Sequence, residues 1–296
     1  MILEETYTLA NGVKIPKLGL GTWCIPDADT GRVVREAIEI GYRHIDTAQA
    51  YENEHGVGAG LRASGVSRDQ IFVTTKLAAE CKTFAAASAR IDKSLRALGL
   101  DHIDLLLIHS PQPWAEFREG EHFFEGNLEA WRALEEAYAA GKVRAIGVSN
   151  FEAADLDNLL DNGNVAPMVN QVLAHVGNTP FDLIDYSRSK GLLVEAYSPV
   201  AHGAALRNAQ LGALAQRYGV SIAQFCIRYC LQLGLLPLPK TANAAHMRDN
   251  AAIGFVISDA DMDTLKGWEN STDYGEAGAF PVFGKKRQIA AAGREG

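Results

Sequence analysis

Eight short apolar runs recur along the 296 residues, each followed by a longer stretch whose apolar residues return at helical spacing. The runs are LGLGTW (18–23), RHIDTA (43–48), IFVTTK (71–76), IDLLLIH (103–109), VRAIGVS (143–149), MVNQVLA (168–174), LLVEAYS (192–198) and LLPLPK (235–240). Between them lie segments such as TGRVVREAIEIG, TFAAASARIDKSLRALG and NLEAWRALEEAYAAG, each ending in a Gly suited to a helix C-cap. Alternation of this kind is the mark of βα units on a parallel sheet, and nothing in the chain looks like a linker. The reading is an α/β fold: one closed (β/α)8 TIM barrel forming a single domain over residues 1–296. TLANGVKIPK ahead of the first run predicts a hairpin capping the barrel bottom. Residues 273–296 are Gly-rich with little pattern and read as a C-terminal tail, draped on the surface or frayed.

Bulk properties exclude several classes of function. A formal net charge of -8 leaves no basic stripe for nucleic acid. The four cysteines form no CxxC pair, and Cys226 and Cys230, four apart, predict one buried helical face. MILEETYTLANG lacks a basic patch and an apolar core, and no apolar run reaches the ~20 residues of a membrane span, so a cytoplasmic monomer is expected.

In a barrel the active site gathers where the strands end. Those ends carry Asp46, Lys76, His109, Ser149, Asn150, Tyr197 and Lys240, with Gln171 inside the sixth run. Any one of these is explained by a solvated rim, and Asp46 with Lys76 alone by a structural ion pair; the set together is harder to dismiss. Lys76 at the top of a barrel interior needs a counter-charge, which Asp46 supplies. Tyr51, five residues beyond Asp46, can fold back over the mouth, where an ammonium is expected to lower its pKa from about 10 toward that of a usable acid. His109 offers a neutral donor to a carbonyl oxygen. This is an acid site without a nucleophile or a metal-ligand cluster, and hydride from a nicotinamide would complete it. Tyr197 offers a ring face for stacking, Ser149, Asn150 and Gln171 can bond a carboxamide, and Lys240 and Thr241 precede a helix start near Asn243 that suits phosphate.

Other motifs are set aside. GVGAG (56–60) lacks the dinucleotide spacing and follows no strand, and GVSNF (147–151) ends in Phe151 where a nucleophile elbow needs Gly. His44, His55, His102, His122 and His202 are expected to face solvent or to be satisfied core histidines.

As a set, GYRHIDTAQAYENE, TTK (74–76), DLLLIH, GVSNF, NQ (170–171), AYSP (196–199) and PKT (239–241) resemble the aldo-keto reductase family, from LANGVKIPKLGLGTW to PKTANAAHMRDN. The resemblance implies NAD(P)H-dependent reduction of an aldehyde or ketone, with Asp46, Tyr51, Lys76 and His109 as catalytic tetrad and Tyr51 as proton donor. It implies a cofactor site of Gly21, Thr22, Asp46, Ser149, Asn150, Gln171, Tyr197, Ser198, Pro199, Val200, Lys240, Thr241, His246, Asp249 and Asn250. The alternative is a cofactor-binding, redox-sensing regulatory protein with little turnover. Three departures stand out. His246 occupies a position that is usually Arg in NADPH-preferring members, so NADPH is expected on balance because Lys240 remains, with NADH possible. Ala78 and Ser110 replace frequent tryptophans, predicting a wide pocket for a bulky substrate unless Trp114, Phe117, Phe123 or Phe124 swings in; Trp23 is the retained wall. Leu173 stands where an acidic residue is usual, without a functional account.

Overall fold

The computed structural model describes residues 1–268 and 273–284. It opens with an antiparallel hairpin, β1 (Thr6–Thr8) and β2 (Lys14–Pro16), whose turn is made possible by Gly12 at φ +85°. Eight parallel strands follow in sequence order: β3 (Leu20–Gly21), β4 (His44–Asp46), β5 (Phe72–Leu77), β6 (Leu105–Ile108), β7 (Ile146–Ser149), β8 (Val169–Leu173), β9 (Leu193–Tyr197) and β10 (Leu236–Leu238). The first and last meet through Gly19 N–H to Pro237 O at 3.3 Å and Gly21 N–H to Pro239 O at 3.0 Å, closing the (β/α)8 barrel. Gly19 permits the closure, since a Cβ there would stand 2.5 Å from Leu238 Cδ2.

Helices cover the outside: α1 (Asp27–Ile40), α2 (Glu54–Ala63), α3 (Phe84–Leu98), α4 (Phe124–Ala139), α5 (Ala153–Asn162), α6 (Phe181–Ser189), α7 (Ala209–Arg217), α8 (Ile222–Gln232), α9 (Ala244–Ala251) and α10 (Asp259–Lys266). Their ends follow local chemistry. Thr83 accepts the Ala86 N–H to start α3, and Gly99 at φ +65° ends it; Ser221 and Gln224 form a reciprocal cap on α8. Cys226 and Cys230 are both fully buried on α8, as their spacing predicted. The GVGAG stretch lies in α2, where a Cβ on Gly58 would stand 2.0 Å from Leu98 O, so these glycines serve close helix packing.

The hairpin covers the N-terminal end of the barrel. Tyr7 Oη donates to Leu235 O at 3.4 Å and Asn11 Nδ2 to Arg144 O at 2.9 Å, both just before barrel strands, while Leu9 and Ile15 are buried beneath. The segment expected to be a draped or frayed tail is described over residues 273–284. Residues 273–284 form two short 3-10 turns, Gly275–Ala279 and Pro281–Phe283, and bury Tyr274, Ala277 and Phe283. Aromatic burial holds them, helped by Tyr274 Oη, which lies 2.8 Å from His175 Nε2 and accepts from Asn178 Nδ2 at 2.7 Å. The remainder of the expected tail, 285–296, lies outside the described residues. Among the described residues no helix is long and apolar enough to cross a membrane.

Candidate active site at the C-terminal mouth

Strands β4 and β5 pair in register, with Asp46 opposite Thr74, and their tops deliver Asp46 and Lys76 to one buried point. Lys76 is completely buried and its ammonium has three hydrogens, each with a partner: Asp46 Oδ1 at 2.5 Å, Thr47 O at 2.9 Å and Tyr51 Oη at 3.3 Å. Burial works against this charge, yet Asp46 and Tyr51 outweigh it, so the Lys76 pKa lies above the usual lysine value and the group stays cationic.

Tyr51 reaches the ammonium because Gln49–Tyr51 form a single 3-10 turn stopped by Glu52 in the left-handed region at φ +56°. The loop is pinned by residues that have no chemistry of their own. Gln49 Oε1 accepts the Ala78 N–H at 3.0 Å, and Asn53, fully buried, accepts from Thr47 Oγ1 and donates to Thr22 O and Ile25 O. The direction of the Tyr51 shift differs from the expectation. Burial raises its pKa more than Lys76 lowers it, with Asp46 adding to the rise, so the phenol is a firmly protonated group. Spacing showed which charge stood beside Tyr51; it carried no information about how much water the fold removes.

His109, at the end of β6, lies edge-on to Tyr51 with ring centroids 5.6 Å apart. Burial first, and Lys76 second, hold its pKa well below the usual value, so the imidazole is neutral. Its Nδ1 is buried without a partner, and orphaned buried N–H groups are rarer in folded proteins than orphaned acceptors. The proton is therefore assigned to Nε2.

Ser149, Asn150, Gln171 and Tyr197 form a linked set. Ser149 Oγ donates to Gln171 O at 2.9 Å, Asn150 Nδ2 donates to His109 O at 3.0 Å and to Ser149 Oγ at 3.1 Å, and Tyr197 Oη donates to Asn150 Oδ1 at 2.7 Å. Gln171 Nε2 donates to Asp46 Oδ2 at 2.9 Å and to Glu195 Oε2 at 2.7 Å, which fixes its carbonyl as the end left for another group.

Glu195 was missed. It is fully buried in β9 and its Oε1 has no partner; burial, then Asp46, push its pKa up to about 8 against Gln171 and Lys76. The one signal for it was a single acidic residue inside the apolar run LLVEAYS. His44 is a fully buried core histidine, with Nε2 at 2.9 Å from Thr74 Oγ1 and the Pro16 backbone beside its ring. His202 belongs to the mouth, with its ring 5.1 Å from Trp23.

The rim combines distant segments. Trp23 meets Phe280 at 4.9 Å and Phe283 at 6.0 Å, both from the C-terminal segment. Trp114, from the long loop after β6, stands edge-on to His109 at 5.0 Å. Ala78 and Ser110 are buried; the Ser110 hydroxyl accepts the Gln112 N–H and its carbonyl accepts Lys82 Nζ. Lys240 is exposed beside the Gly21 closure, Thr241 follows half-buried, and Gly21 and Thr22 are buried. Pro199 is buried and Val200 half-buried in the loop after β9, where Ser198, Ala201 and His202 all hold left-handed backbones. On α9, His246 and Asp249 are exposed and Asn250 is buried.

A buried lysine bonded to both a carboxylate and a phenol, beside a neutral histidine, lies at the C-terminal mouth of a TIM barrel. The chain belongs to the aldo/keto reductase family, whose model matches residues 17–270. It is 40% identical over 265 residues to the glyoxal reductase of Bacillus subtilis, covering 89% of this chain and 92% of that protein. Among solved structures it resembles MGS-M4, an aldo-keto reductase from a Medee basin deep-sea metagenome library, with a TM-score of 0.83, 34% identity and coverage of 89% and 94%. It also resembles the Bombyx mori aldo-keto reductase AKR2E4 in complex with NADP, with a TM-score of 0.82, 30% identity and coverage of 95% and 99%.

Proposed function

We propose that the chain reduces aldehydes or ketones with a nicotinamide cofactor and that Tyr51 delivers the proton to the carbonyl oxygen. One observation carries this reading: Lys76 Nζ donates to Tyr51 Oη, so the phenol's own hydrogen is directed away from the ammonium and toward the mouth. His109 Nε2–H is the second donor, able to hold the carbonyl oxygen against Tyr51. As the proton leaves, negative charge grows on Tyr51 Oη, and the ammonium 3.3 Å away stabilises it without any rearrangement. A lowered starting pKa is thus unnecessary, since Lys76 acts on the phenolate as it forms.

The residues present fit a nicotinamide. Gln171 has an acceptor left over for a carboxamide, and Tyr197 is a half-buried ring steadied by Asn150, with Ser149 bracing the pair. Asp46 holds Lys76 on one side and Gln171 on the other. When bound, a reduced nicotinamide supplies hydride to the carbonyl carbon. Gly21, Thr22, Ser198, Pro199 and Val200 would border the cofactor, Lys240 and Thr241 would take its phosphate end, and His246, Asp249 and Asn250 would stand near adenine. The relative solved with NADP and the retained Lys240 favour NADPH, while His246 leaves NADH admissible.

Loss of absorbance at the reduced nicotinamide band, measured with NADH and NADPH against a panel of aldehydes and ketones, tests the reading. Carbonyl-dependent turnover supports it. Tight cofactor binding with negligible turnover across the panel would replace it with the redox-sensing alternative.

A further inference from the structure

Arg118 is a cation at the mouth that the proposed reaction does not use. It lies in the loop between β6 and α4, four residues past Trp114, with its backbone at φ +61°. That left-handed conformation is disfavoured for a non-glycine residue, so the fold holds the side chain where relaxed backbone would not place it. The guanidinium carbon stands 4.7 Å from the Phe117 ring centroid, and Phe117 in turn packs on Trp114 at 5.4 Å. Its charge also acts on the hydroxyl groups of Tyr197 and Tyr274. Arg118 therefore sits where three parts of the rim converge: its own loop, the top of β9 and the C-terminal segment. Contacts run from it through Phe117 and Trp114 to His109 and Tyr51, which places it on the substrate side of the proton donor.

Its bonding is incomplete. Nε is buried without a hydrogen-bond partner, and Arg118 forms no ion pair among the described residues. A guanidinium with part of its fork removed from water and unpaired is costly, and its planar donors match a carboxylate in two parallel bonds. Arg118 is half-buried, whereas Lys76, the fully buried cation of the mouth, is fully engaged. We propose that Arg118 selects substrates whose carbonyl is joined by a carbon spacer to a carboxylate, the carboxylate pairing with the guanidinium while the carbonyl meets Tyr51 and His109. This rests on the carbonyl-reductase reading.

Matched ω-oxo acids and their methyl esters, assayed in the wild type and in Arg118→Met and Arg118→Lys, test the proposal. The wild type should favour the acid over the ester at least tenfold in kcat/KM, mostly through KM, and less so at high salt. Arg118→Met should abolish that ratio and Arg118→Lys restore part of it. A wild-type ratio near one, or an equal loss for acid and ester in Arg118→Met, would overturn it, as would a weakened cofactor Kd in that variant. Titration calorimetry of hexanoate against hexanamide reads the anion site without turnover. Tighter hexanoate binding in the wild type that disappears in Arg118→Met supports the anion site even if every carbonyl fails; equal binding of the two sinks it while leaving the reductase reading intact.

Discussion

The buried carboxyl groups at the two ends of this barrel, Asp104 at one and Asp46 with Glu195 at the other, are treated differently. Asp104, at the foot of β6, is fully buried and saturated: Oδ2 accepts from Arg68 Nη2 at 2.6 Å and from the Val73 N–H at 2.9 Å, and Oδ1 accepts from Arg144 Nη1 at 2.7 Å. Two cations serve one anion there. At the mouth the single cation Lys76 serves Asp46, the Glu195 carboxyl is pushed toward its neutral form, and Glu195 Oε1 and His109 Nδ1 lack partners. A cavity of about 840 Å³ lies at the foot of the barrel, lined by Asn11, Arg43, Asp104 and Arg144 among others, whose polar groups already bond one another or the backbone. Both oxygens of Asp104 are bonded, whereas at the mouth one oxygen of Glu195 and one ring nitrogen of His109 are left over.

Substitutions should separate the two ends, beginning with the largest effect. Tyr51→Phe removes the proposed proton donor and leaves the ring, so kcat should fall by about 10²–10⁴-fold with cofactor Kd nearly unchanged, as read by single-turnover kinetics and fluorescence titration. Retained turnover would remove Tyr51 from the proposed role.

Glu195 comes next. Its carboxyl stays protonated in the fold up to about pH 8, whereas the unfolded chain ionises near 4.5. Between those values the folded state binds the extra proton, so this group's contribution to stability is complete below pH 4.5 and is lost as pH rises toward 8. Against Glu195→Gln, whose amide does not titrate, the wild type should lose on the order of 2–4 kcal/mol over that window, visible in urea or thermal melts at pH 5 and pH 8.5. Parallel melting curves for the two proteins would show that Glu195 is ionised inside the barrel.

Asp104→Asn should lower stability by about 1–3 kcal/mol, because Arg68 and Arg144 keep partial contact with water, and leave kcat per folded molecule unchanged. A selective loss of kcat there would blur the division between the ends. The smallest effect belongs to the exposed outer edge of the mouth, where solvent screens charge: His246→Arg should raise the NADPH to NADH preference about tenfold, roughly 1.4 kcal/mol, in kcat/KM for the two cofactors.

The strand order and most strand boundaries were legible because parallel barrel strands are buried on both faces and show as unbroken apolar runs. Asp46, Lys76 and His109 were legible for a related reason, since a polar residue closing an apolar run must lie at a strand end. Glu195 escaped because it interrupts such a run instead of ending it. The rim escaped because Phe280, Phe283 and Arg118 lie in segments without periodicity, and their meeting with Trp23, Trp114 and Tyr197 depends on how loops fold over the closed barrel.

From the chain alone came the identity of the groups that meet at the mouth, since hydrophobic period and strand ends are local properties. Tertiary structure decided how those groups behave: burial outweighed Lys76 at Tyr51, Gln171 tied Glu195 to Asp46, and the C-terminal segment docked against Trp23. Dehydration and long-range contact depend on every surrounding atom, and residue spacing does not encode them.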